Sequence, residues 1–584
     1  MSTERFELAV DVPANCERLV VGDVADLPSD FRHFAVILSA EDFAAARVFG
    51  VEISQADRQG TAPSTLAGRI AEALDWVSEN AEPDTVTAIA RLATGRGGAQ
   101  TDQMIEAMLP AIEDCHDCAD FILVPLLWSR IRQADGIAPA LLARIDAAIL
   151  GYRYWMDEPG NDVQWYFSEN HALLFHTAAY LAGDLFPDSR FVRSGRLGRA
   201  QSAVGAERVR AWLDHFEAWE MAEFNSAPYF PIDLKGLSAL YGLAPDADIK
   251  ARAGAAIVRL FRIVAASAHQ GVLTGAQGRS YEHTLRAGRT LELSALGRLA
   301  WGQGAFGRRY HALPQIALCL RDHGLTLPEE LAAEACLAAG SAHEWTFAQG
   351  QDRFAKLYHH KTRDHAMGSA AGYRWHQWGY QETVLHARLG DNADAQVWIN
   401  HPGELIHSGY ARPSYWGGSA TLPRVHQYRD LAILDFKGHP GQPDLTHAWF
   451  PTTAFDDFAI DGRVATARGG SGLVLIKGSS ALEWVRLGPT ADHELRLAGH
   501  TGRWIVRLGS VNAHGDLDAF ARRFAAMELA EEADGTIVLD DPDYGRVRCK
   551  ADGTTEAEGR VIDPATFTVE GHLARLVDGP VTSG

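Results

Sequence analysis

Three separated segments of the sequence carry side chains that can move protons or stabilise charge. The first, Trp165-Tyr-Phe-Ser-Glu-Asn-His171, runs straight into an apolar helical pattern, and Ser168 is suited to cap that helix. Glu169, Asn170 and His171 would then occupy the first helical turn, with the imidazole on the side of the apolar stripe. A buried histidine beside a capping Glu-Asn pair accounts for the segment equally well.

The second segment is a Pro-flanked loop, Glu223-Phe-Asn-Ser-Ala-Pro-Tyr229-Phe-Pro-Ile-Asp233, that leads into the next helix. It combines carboxylates, an amide, a hydroxyl and a phenol, which are the groups that bind sugars through hydrogen bonds and stacking. Tyr229 is the candidate for proton transfer, and Glu223 joins the catalytic candidates. The alternative is an ordinary turn stabilised by Asn225 and Ser226.

The third segment, Gly275-Ala-Gln-Gly-Arg279-Ser-Tyr281-Glu282-His283, adds cations and another phenol, and Arg286 and Arg289 follow it. A guanidinium can grip a carboxylate through two parallel hydrogen bonds, so Arg279 is the candidate for binding an acidic group. The alternative is a solvated loop with a glycine turn.

These segments lie in a long helical region that begins after about residue 60, where apolar residues recur every three or four positions. The predicted helices are 64–79, 85–94, 100–112, 117–133, 138–151, 168–182, 203–221, 231–243, 247–268, 288–300, 312–323 and 327–340. Antiparallel helix pairs bury one face of every helix if they close into an (α/α) toroid. An open solenoid would do so too, but no clean sequence period favours it.

From about residue 351 the pattern changes to short alternating or β-rich stretches separated by Gly, Asp and Pro, typical of an antiparallel β-sandwich. A short helix is predicted at 513–528, and FELAVDV and HFAVILS near the start predict a strand or two. The predicted fold class is therefore α+β multidomain. It comprises a lead-in over 1–60, an (α/α) toroid with the chemistry over 61–345, and a β-sandwich over 351–584.

The formal charge of −21, from 54 Lys and Arg against 75 Asp and Glu, argues against a nucleic-acid partner, because phosphate binding needs clustered positive charge. The N-terminus lacks the features of a signal peptide, and no segment supplies ~18 uninterrupted apolar residues. We therefore expect a cytoplasmic protein with no membrane partner. Six scattered cysteines predict reduced thiols, and the lone Cys115-His-Asp-Cys118 lacks the further ligands of a zinc site.

The order of the three segments resembles the polysaccharide lyases of the heparinase II/III and alginate lyase type. It consists of Asn170-His171, then Tyr229, then an Arg-Tyr loop, in helices followed by a β-sandwich. In that family an Asn or His neutralises the carboxylate of a uronate, and a Tyr, with or without a His, moves the protons. The resemblance implies that Asn170 and Arg279 neutralise the carboxylate. It also implies that Tyr229 acts as acid or base and that His171 assists.

One departure from the family concerns the first strands of the β region. Those lyases typically carry a His-x-His-x-Asp stretch there, whereas this sequence has Trp375-His-Gln-Trp-Gly-Tyr-Gln-Glu382. The candidates for the group that completes the site are His376, Tyr380, Gln381, His401 and Tyr415. The stretch Arg412-Pro-Ser-Tyr-Trp-Gly-Gly418 also has the composition of a sugar-contacting loop, with a Gly-rich turn as its alternative.

The resemblance leaves open a divalent metal in the β region, held by histidines among His359, His360, His365 and His376, although surface histidines are commoner. No clear motif supports such a metal, so no cofactor is predicted.

We expect an enzyme that cleaves an acidic oligosaccharide or polysaccharide by β-elimination, and a homodimer stays open. The catalytic candidates are Asn170, His171, Tyr229, Arg279 and Glu223. The predicted substrate-binding residues are Trp165, Glu169, Asn225, Tyr281, Glu282, His376, Tyr380, Gln381, His401, Arg412, Tyr415 and Trp416.

The main alternative is a glycoside hydrolase of the (α/α) toroid type, which needs two carboxyl groups beside the scissile bond. The carboxyl groups that could serve are Glu169, Glu223, Asp233 and Glu282. A non-enzymatic sugar-binding or scaffolding protein would leave the clustered acids, bases and phenols unexplained.

Overall fold

The computed structural model describes residues 8–13, 15–16, 19–20, 22–27, 30–53, 60–407 and 411–577. A β-hairpin of β1 (Asp30–Ala40) and β2 (Phe43–Ile53) comes first. Helices then fill most of the chain from Leu66 to Ala335, and antiparallel strands fill most of it from Ser341 to Val577. This order agrees with the α+β organisation that the sequence predicts.

Helices begin where the sequence offers a polar cap before an apolar stripe. Their bounds are α1 (Leu66–Asn80), α2 (Thr85–Ala93), α3 (Ala99–Glu113), α4 (Ala119–Arg132), α5 (Pro139–Gly151), α6 (Glu169–Leu185), α7 (Gly198–Trp219), α8 (Phe230–Leu243), α9 (Ala247–Ser267), α10 (Glu282–Arg286), α11 (Glu292–Trp301), α12 (Leu313–Asp322) and α13 (Glu330–Ala335). Thr65 caps α1 by accepting the N–H of Gly68, and Ser168 caps α6 by accepting that of His171, as predicted. Two short strands, β3 (Ala268–His269) and β4 (Val272–Leu273), separate α9 from α10.

Neighbouring helices pack in pairs, and the last helices return to the first. α6 packs on α7, α8 packs on α9, and α4 contacts α2, α6 and α8. α12 contacts α1, α2 and α8, and α11 contacts α1. Leu123, Leu174, Leu237 and Ile316 come from four different helices and are fully buried in one apolar core. Within the described residues, no helix combines the length and the apolar character needed to cross a membrane.

The strands after the helices form three antiparallel sheets. Their bounds are β5 (Ser341–Gln349), β6 (Ala355–Thr362), β7 (His365–Gly372), β8 (Leu385–Leu389), β9 (Gln396–Asn400), β10 (Arg424–Tyr428), β11 (Leu431–Lys437), β12 (Leu445–Trp449), β13 (Asp457–Asp461), β14 (Val464–Gly469), β15 (Gly472–Gly478), β16 (Leu482–Trp484), β17 (Glu494–Ala498), β18 (Thr501–Ser510), β19 (Leu529–Glu531), β20 (Ile537–Asp541), β21 (Gly545–Cys549), β22 (Thr555–Ala557), β23 (Arg560–Ile562) and β24 (His572–Val577). The orders are β16-β17-β12-β9-β8-β7-β6-β5-β24, β10-β11-β18-β15-β14-β13 and β19-β20-β21-β22-β23. β7 contacts β10 and β18, and β8 contacts β15, so the two larger sheets pack against each other.

Some element bounds differ from those that the sequence predicts. The change to β structure comes at Ser341, before the expected residue 351, because β5 pairs with β6 and β24 and is buried on both faces, so it lacks the alternation that marks a strand in the sequence. The helix expected at 513–528 is two shorter ones, α14 (Val511–His514) and α15 (Leu517–Phe524), because Gly515 with φ 78° interrupts it. HFAVILS lies in β1, whereas Phe6 and Glu7 of FELAVDV lie outside the described residues and residues 8–12 form no strand.

Helices and sheets meet along the third of the chemically rich segments. Gln277 and Thr383 exchange backbone hydrogen bonds of 2.8 and 2.9 Å, and Ser280 donates its N–H to the carbonyl of Gln381 at 2.9 Å. The hydroxyls of Ser280 and Thr383 are 2.7 Å apart. These contacts set the loop that carries Arg279 beside the loop between β7 and β8.

Candidate active site at the junction of helices and sheets

Four residues predicted from the second and third segments meet in one cluster. Nη1 of Arg279 donates to Oε1 of Glu223 at 2.5 Å, and Nη2 donates to the hydroxyl of Tyr281 at 3.1 Å. The hydroxyls of Tyr229 and Tyr281 are 2.7 Å apart, and the guanidinium carbon of Arg279 lies 4.2 Å from the centre of the Tyr229 ring. All four residues are partly exposed. We call them the Glu223 cluster, and a ligand can reach it from solvent.

His171 has a partner that sets its chemistry. Its Nδ1 lies 2.8 Å from Oδ2 of Asp120, the second residue of α4. The ring of Phe121 stacks on the imidazole, with 4.8 Å between the ring centres. A carboxylate that accepts the Nδ1 proton leaves Nε2 as the ring nitrogen that can exchange a proton. The pair therefore has the form of an oriented base.

His171 lies within electrostatic reach of the Glu223 cluster. Burial raises the pKa of Glu223, whereas the positive charges of Arg279 and of a protonated His171 oppose that rise. The backbone N–H of Glu223 also donates to the Glu169 carboxylate at 3.0 Å, so the first and second segments of the sequence are close in space.

The β region contributes a second cation to the same place. Nη1 of Arg412 donates to the hydroxyl of Tyr380 at 2.9 Å, and its guanidinium carbon lies 5.7 Å from the ring centre of Tyr281. Both Arg412 and Tyr380 are exposed, and Tyr380 retains 40% of its surface. The hydrogen bond with Tyr380 raises the pKa of the Arg412 guanidinium above its usual range, and the charge of Arg279 opposes that rise. An anion can therefore meet two guanidinium groups here.

The carboxylate of Glu169 ties the loop after α7 to the start of α6. It accepts the backbone N–H groups of Ala222 at 2.8 Å and Glu223 at 3.0 Å, and Trp212 donates its indole N–H to the Glu169 carbonyl. Burial raises the pKa of Glu169 to about 7, although the two backbone hydrogen bonds oppose the rise. Glu169 therefore positions the loop with Glu223 and is occupied in doing so.

Asn225 ties the same loop to the third segment. It has a φ of 44°, a left-handed conformation that Asn tolerates, and its amide donates to the carbonyls of Thr274 and Ala276. A Cβ added at Gly278 would lie 2.7 Å from the backbone nitrogen of Phe224. Only glycine allows the two loops this close approach, which aligns Tyr229 with Tyr281.

Burial controls the protonation of the cluster and of the acid behind it. It raises the pKa of Tyr229 above its usual range, with the neighbouring Tyr281 adding to the rise and Arg279 opposing it. Asp233 is fully buried, and burial together with the charges of Glu223 and Glu169 raises its pKa strongly. Tyr229 is therefore protonated at neutral pH, and burial favours the protonated form of Asp233.

Asn170 is fully buried in the first turn of α6. Its Oδ1 accepts the backbone N–H of His171 at 2.9 Å, and its Nδ2 has no partner among the described residues. The contact of Asn170 with a substrate carboxylate stays a prediction, whereas its hydrogen bond with the backbone of His171 is present.

Three predicted substrate-binding residues of the β region lie in its interior. His401, Tyr415 and Trp416 are at most 1% exposed. Nε2 of His401 lies 2.8 Å from the carbonyl of Pro443, and Trp416 stacks on His447. Substrate contact by these three side chains stays a prediction that their burial opposes, because a ligand reaches only exposed atoms.

Tyr415 belongs to a second cluster of similar composition. Its hydroxyl donates to Oε1 of Glu494 at 2.5 Å, and Nδ1 of His447 and Nε of Arg496 each lie 2.9 Å from the same oxygen. Thr490 donates to the other carboxylate oxygen. We call Glu494, Arg496, Tyr415 and His447 the Glu494 cluster.

The remaining predicted residues border the site to different degrees. Trp165 is 54% exposed on the loop before α6, and Gln381 is buried with its backbone paired to Ser280. Glu282 is buried and bonded to Arg286 at 3.1 Å. His376 is partly buried, and its backbone N–H donates to the carbonyl of Leu422, away from the Glu223 cluster.

The sequence analysis missed Asp120. It is fully buried at the start of the apolar helix ADFILVPLLW, and burial raises its pKa while the contact with His171 opposes the rise. A lone carboxylate in so apolar a helix is a signal that it has a partner, since unpaired buried charges are costly. Its partner is 51 positions away along the chain, which no local pattern reveals.

Among the described residues, two groups of side chains could hold a metal. His360, His365 and Asp430 are buried with ligand atoms within 4.8 Å of one another. Nδ1 of His360 and Nε2 of His365 have no hydrogen-bond partner among the described residues, a donor set that suits a divalent ion such as zinc. Asp117, Cys118 and His171 form the other group, but burial raises the pKa of the Cys118 thiol to about 12. The first group therefore fits a metal better.

The sequence and the fold were compared with those of known proteins, and the fold has a weak structural similarity to a solved one. No protein-family model matches the sequence, and no curated protein matches it. Among solved structures, one described as the crystal structure of heparinase III is similar, with 10% sequence identity and a TM-score of 0.36 over 84% of this chain and 82% of that chain. A likeness this weak decides nothing about the reaction, so the function has to follow from the contacts of the protein's own side chains.

Proposed function

We propose that the protein is a carbohydrate lyase that cleaves uronate-containing oligosaccharides or polysaccharides by β-elimination. The observation that carries the proposal is the Glu223 cluster, in which a guanidinium lies against two paired phenols within electrostatic reach of an oriented imidazole. The reaction requires a positive charge to neutralise the substrate carboxylate, a base and an acid. The guanidinium, the imidazole and a phenol can supply these three functions.

Neutralisation of the substrate carboxylate is the first requirement. The proton at C5 of a uronate is too weakly acidic to leave unless the developing enolate charge is stabilised. Arg279 from the helical side and Arg412 from the β side both lie against the Tyr281 ring, with their guanidinium carbons 6.0 and 5.7 Å from its centre, and both groups are able to grip a carboxylate. We assign them to the carboxylate, with Asn170 supporting His171 from behind.

Proton transfer is the second requirement. His171, held by Asp120, takes the C5 proton through Nε2, and the electron pair of that C–H bond passes into the enolate formed with the substrate carboxylate. That pair forms the C4–C5 double bond as the C4–O bond breaks, and Tyr229 gives its phenolic proton to the departing glycosidic oxygen. Burial, which raises the pKa of Tyr229, keeps that proton available at neutral pH.

Hydrolysis fits the carboxyl groups less well. Two carboxyl groups must flank the scissile bond in a hydrolase, with one free to act as a base or nucleophile. Glu169 accepts two backbone N–H groups, Glu223 is bonded to Arg279, and Glu282 is bonded to Arg286. Asp233 is fully buried. No pair among these four combines exposure with a free carboxylate.

The proposal includes the closed arrangement of the helices. Contacts of α11 and α12 with α1 support an (α/α) toroid over 61–345, because the ends of an open solenoid would lie apart. A toroid places the first turn of α6 and the loops after α7 and α9 around one cleft, and the β region over 351–584 covers its side.

The experiment is to incubate the full chain with uronate-containing oligosaccharides and follow two signals together. Elimination creates a conjugated unsaturated uronate, which absorbs in the ultraviolet, and it also liberates reducing ends. We expect both signals to rise in equal amounts. Reducing ends without the absorbance would establish hydrolysis, and neither signal over a panel of uronate glycans would contradict the proposal.

A matched substrate control tests the role of the two arginines. The same oligosaccharides, with each carboxyl group chemically reduced to an alcohol, keep the sugar and the linkage but lose the anion. We expect no turnover, because the C5 proton loses the carboxylate that makes it acidic and Arg279 and Arg412 have no charge to bind. Cleavage of the reduced substrate at a comparable rate would contradict the assignment.

A further inference from the structure

The hairpin at the start of the described chain stands apart from both regions. β1 and β2 pair antiparallel from Asp30 opposite Ile53 to Ala40 opposite Phe43, and they form a sheet of only these two strands among the described residues. Eleven residues of extended strand span roughly 35 Å. The hairpin is therefore a long arm with two unpaired edges.

Among the described residues, the arm is attached to the rest of the molecule at its base. Ile53 and Gly50 are buried, β2 contacts α10, and Arg32 forms an ion pair with Glu82 at 3.8 Å. From Ala35 to Val48 the residues with described side chains are exposed, apart from Ala45, which is partly buried. The outer half of the arm therefore has no partner within the described chain.

The free part of the arm is strongly apolar on both faces. Val36, Leu38 and Phe43 share one face and are 55%, 51% and 56% exposed. Ile37 and Val48 lie on the opposite face and are 68% and 39% exposed. An isolated two-stranded ribbon is at best marginally stable in water, and contiguous exposed apolar surface marks an interaction site.

The outer edge of β1 is open to strand pairing. Its exposed stretch Ala-Val-Ile-Leu-Ser-Ala, from Ala35 to Ala40, contains no charge and no proline, the devices that normally protect an edge. β2, in contrast, carries Arg47 in the middle of its exposed part. Pairing through β1 is therefore favoured over pairing through β2.

We propose that the hairpin is a dimerisation arm, and that β1 pairs antiparallel with β1 of a second copy of this chain. An antiparallel strand is complementary to itself about a twofold axis, so the two copies need no further matching element. With Ile37 at the axis, Val36 lies opposite Leu38 of the second copy, and Arg32 lies opposite Asp42. The two hairpins then form one four-stranded sheet with paired apolar side chains and complementary charges at its ends.

The first test measures the mass of the full chain in solution by light scattering. We expect a dimer for the parent and a monomer for the double variant Ile37→Lys, Leu38→Lys, which places a charge on each face of the arm. The matched control, Leu487→Lys with Val561→Lys, changes two exposed apolar residues elsewhere, which are 86% and 60% exposed, and should stay dimeric. Unchanged circular dichroism of both variants verifies folding.

Two outcomes of this test would overturn the proposal. A parent chain that stays monomeric at tens of micromolar would exclude a second copy as the occupant and leave the arm to another protein. A Lys variant that stays fully dimeric would show that the copies meet through a different surface.

The second test examines the strand pairing with cysteines, in a Cys16→Ser background because Cys16 is exposed. Ile37→Cys brings two thiols together at the twofold axis, so mild oxidation should convert most of the chain to a disulfide-linked dimer. Ala46→Cys lies directly opposite on β2 and should give little of it. Equal or greater cross-linking through position 46 would contradict pairing by β1.

Discussion

The Glu223 cluster and the Glu494 cluster contain almost the same side chains in different surroundings. Each has a glutamate bonded to an arginine, with tyrosine and histidine nearby. The carboxylate of Glu494 is fully buried, and both of its oxygens accept hydrogen bonds. In contrast, Oε2 of Glu223 and Nε of Arg279 have no partner among the described residues.

The difference appears in the ionisation of the two glutamates. Burial raises the pKa of both, but at Glu494 the hydrogen bonds and charges of His447 and Arg496 outweigh it and hold the pKa below the usual range. At Glu223 burial prevails and the pKa is raised. A satisfied buried cluster stabilises the fold, whereas a partly satisfied and reachable one retains the capacity to bind a ligand.

The largest expected effect separates the two clusters by their tyrosines. Tyr229→Phe removes the proton donor, so we expect kcat to fall roughly 10³- to 10⁴-fold, measured by the absorbance of the unsaturated product. The control Tyr415→Phe should keep kcat within about threefold while lowering the melting temperature, because a buried hydrogen bond to Glu494 is lost. Comparable losses of activity in both variants would mean that the Glu223 cluster is not the active site.

The next effect concerns stability. Glu494→Gln leaves Arg496 and His447 without the negative charge that they surround, and we expect a loss of about 3 kcal/mol, measured from the thermal or denaturant midpoint. Glu483 lies 4.0 Å from the same arginine but is exposed, so Glu483→Gln should change stability by less than about 0.5 kcal/mol. If both variants have the same melting temperature, Glu494 does not have the structural role that its four hydrogen-bond donors indicate.

A smaller effect sharpens the role of Asp120. Asp120→Asn removes the charge that orients His171, so we expect kcat to fall roughly 10- to 100-fold, with the limb of the pH profile that reports the base displaced. A merely structural residue would change stability without moving the profile. Asp114 lies six positions earlier, is exposed and belongs to no group with His171, so Asp114→Asn should leave the profile unchanged.

The smallest effect is a pH dependence of stability from Glu169. Its pKa is raised to about 7 in the folded state, so the folded chain holds the proton more tightly than the unfolded chain does. The stability that this proton confers is present below about pH 4.5 and is lost as the pH rises through about 7. The free energy of unfolding of Glu169→Gln, relative to that of the parent, should therefore rise by about 1–2 kcal/mol between pH 5 and pH 8.

Glu292 provides the control for that measurement. It accepts the backbone N–H groups at the start of α12, and burial raises its pKa to about 7 as well. Glu292→Gln should show the same pH-dependent gain in melting temperature with activity unchanged. If the melting temperature of one variant rose with pH relative to the parent and that of the other fell, burial of a carboxylate could not be the cause of both effects.

The sequence predicts those features that depend on neighbouring residues. The cap at Ser168, the helix that follows it and the β-rich second half depend on local patterns, and the structure has them. The partnership of His171 with Asp120 and the burial of Tyr415 depend on contacts between distant segments. The composition of the Tyr229 and Tyr415 loops predicts sugar binding for both, because composition does not show which tyrosine is buried.

The bond from the Glu169 carboxylate to Ala222 and Glu223 closes the chain on itself. The chain runs away from Glu169 along α6, turns and comes back along α7 to Ala222 and Glu223. The hydrogen bonds of the Glu169 carboxylate therefore hold the segments of His171 and Tyr229 together. Lengthening the connection between α6 and α7 costs little, since loop entropy grows slowly with length. Insertions in homologues should therefore accumulate in that excursion while the reacting groups keep their separation.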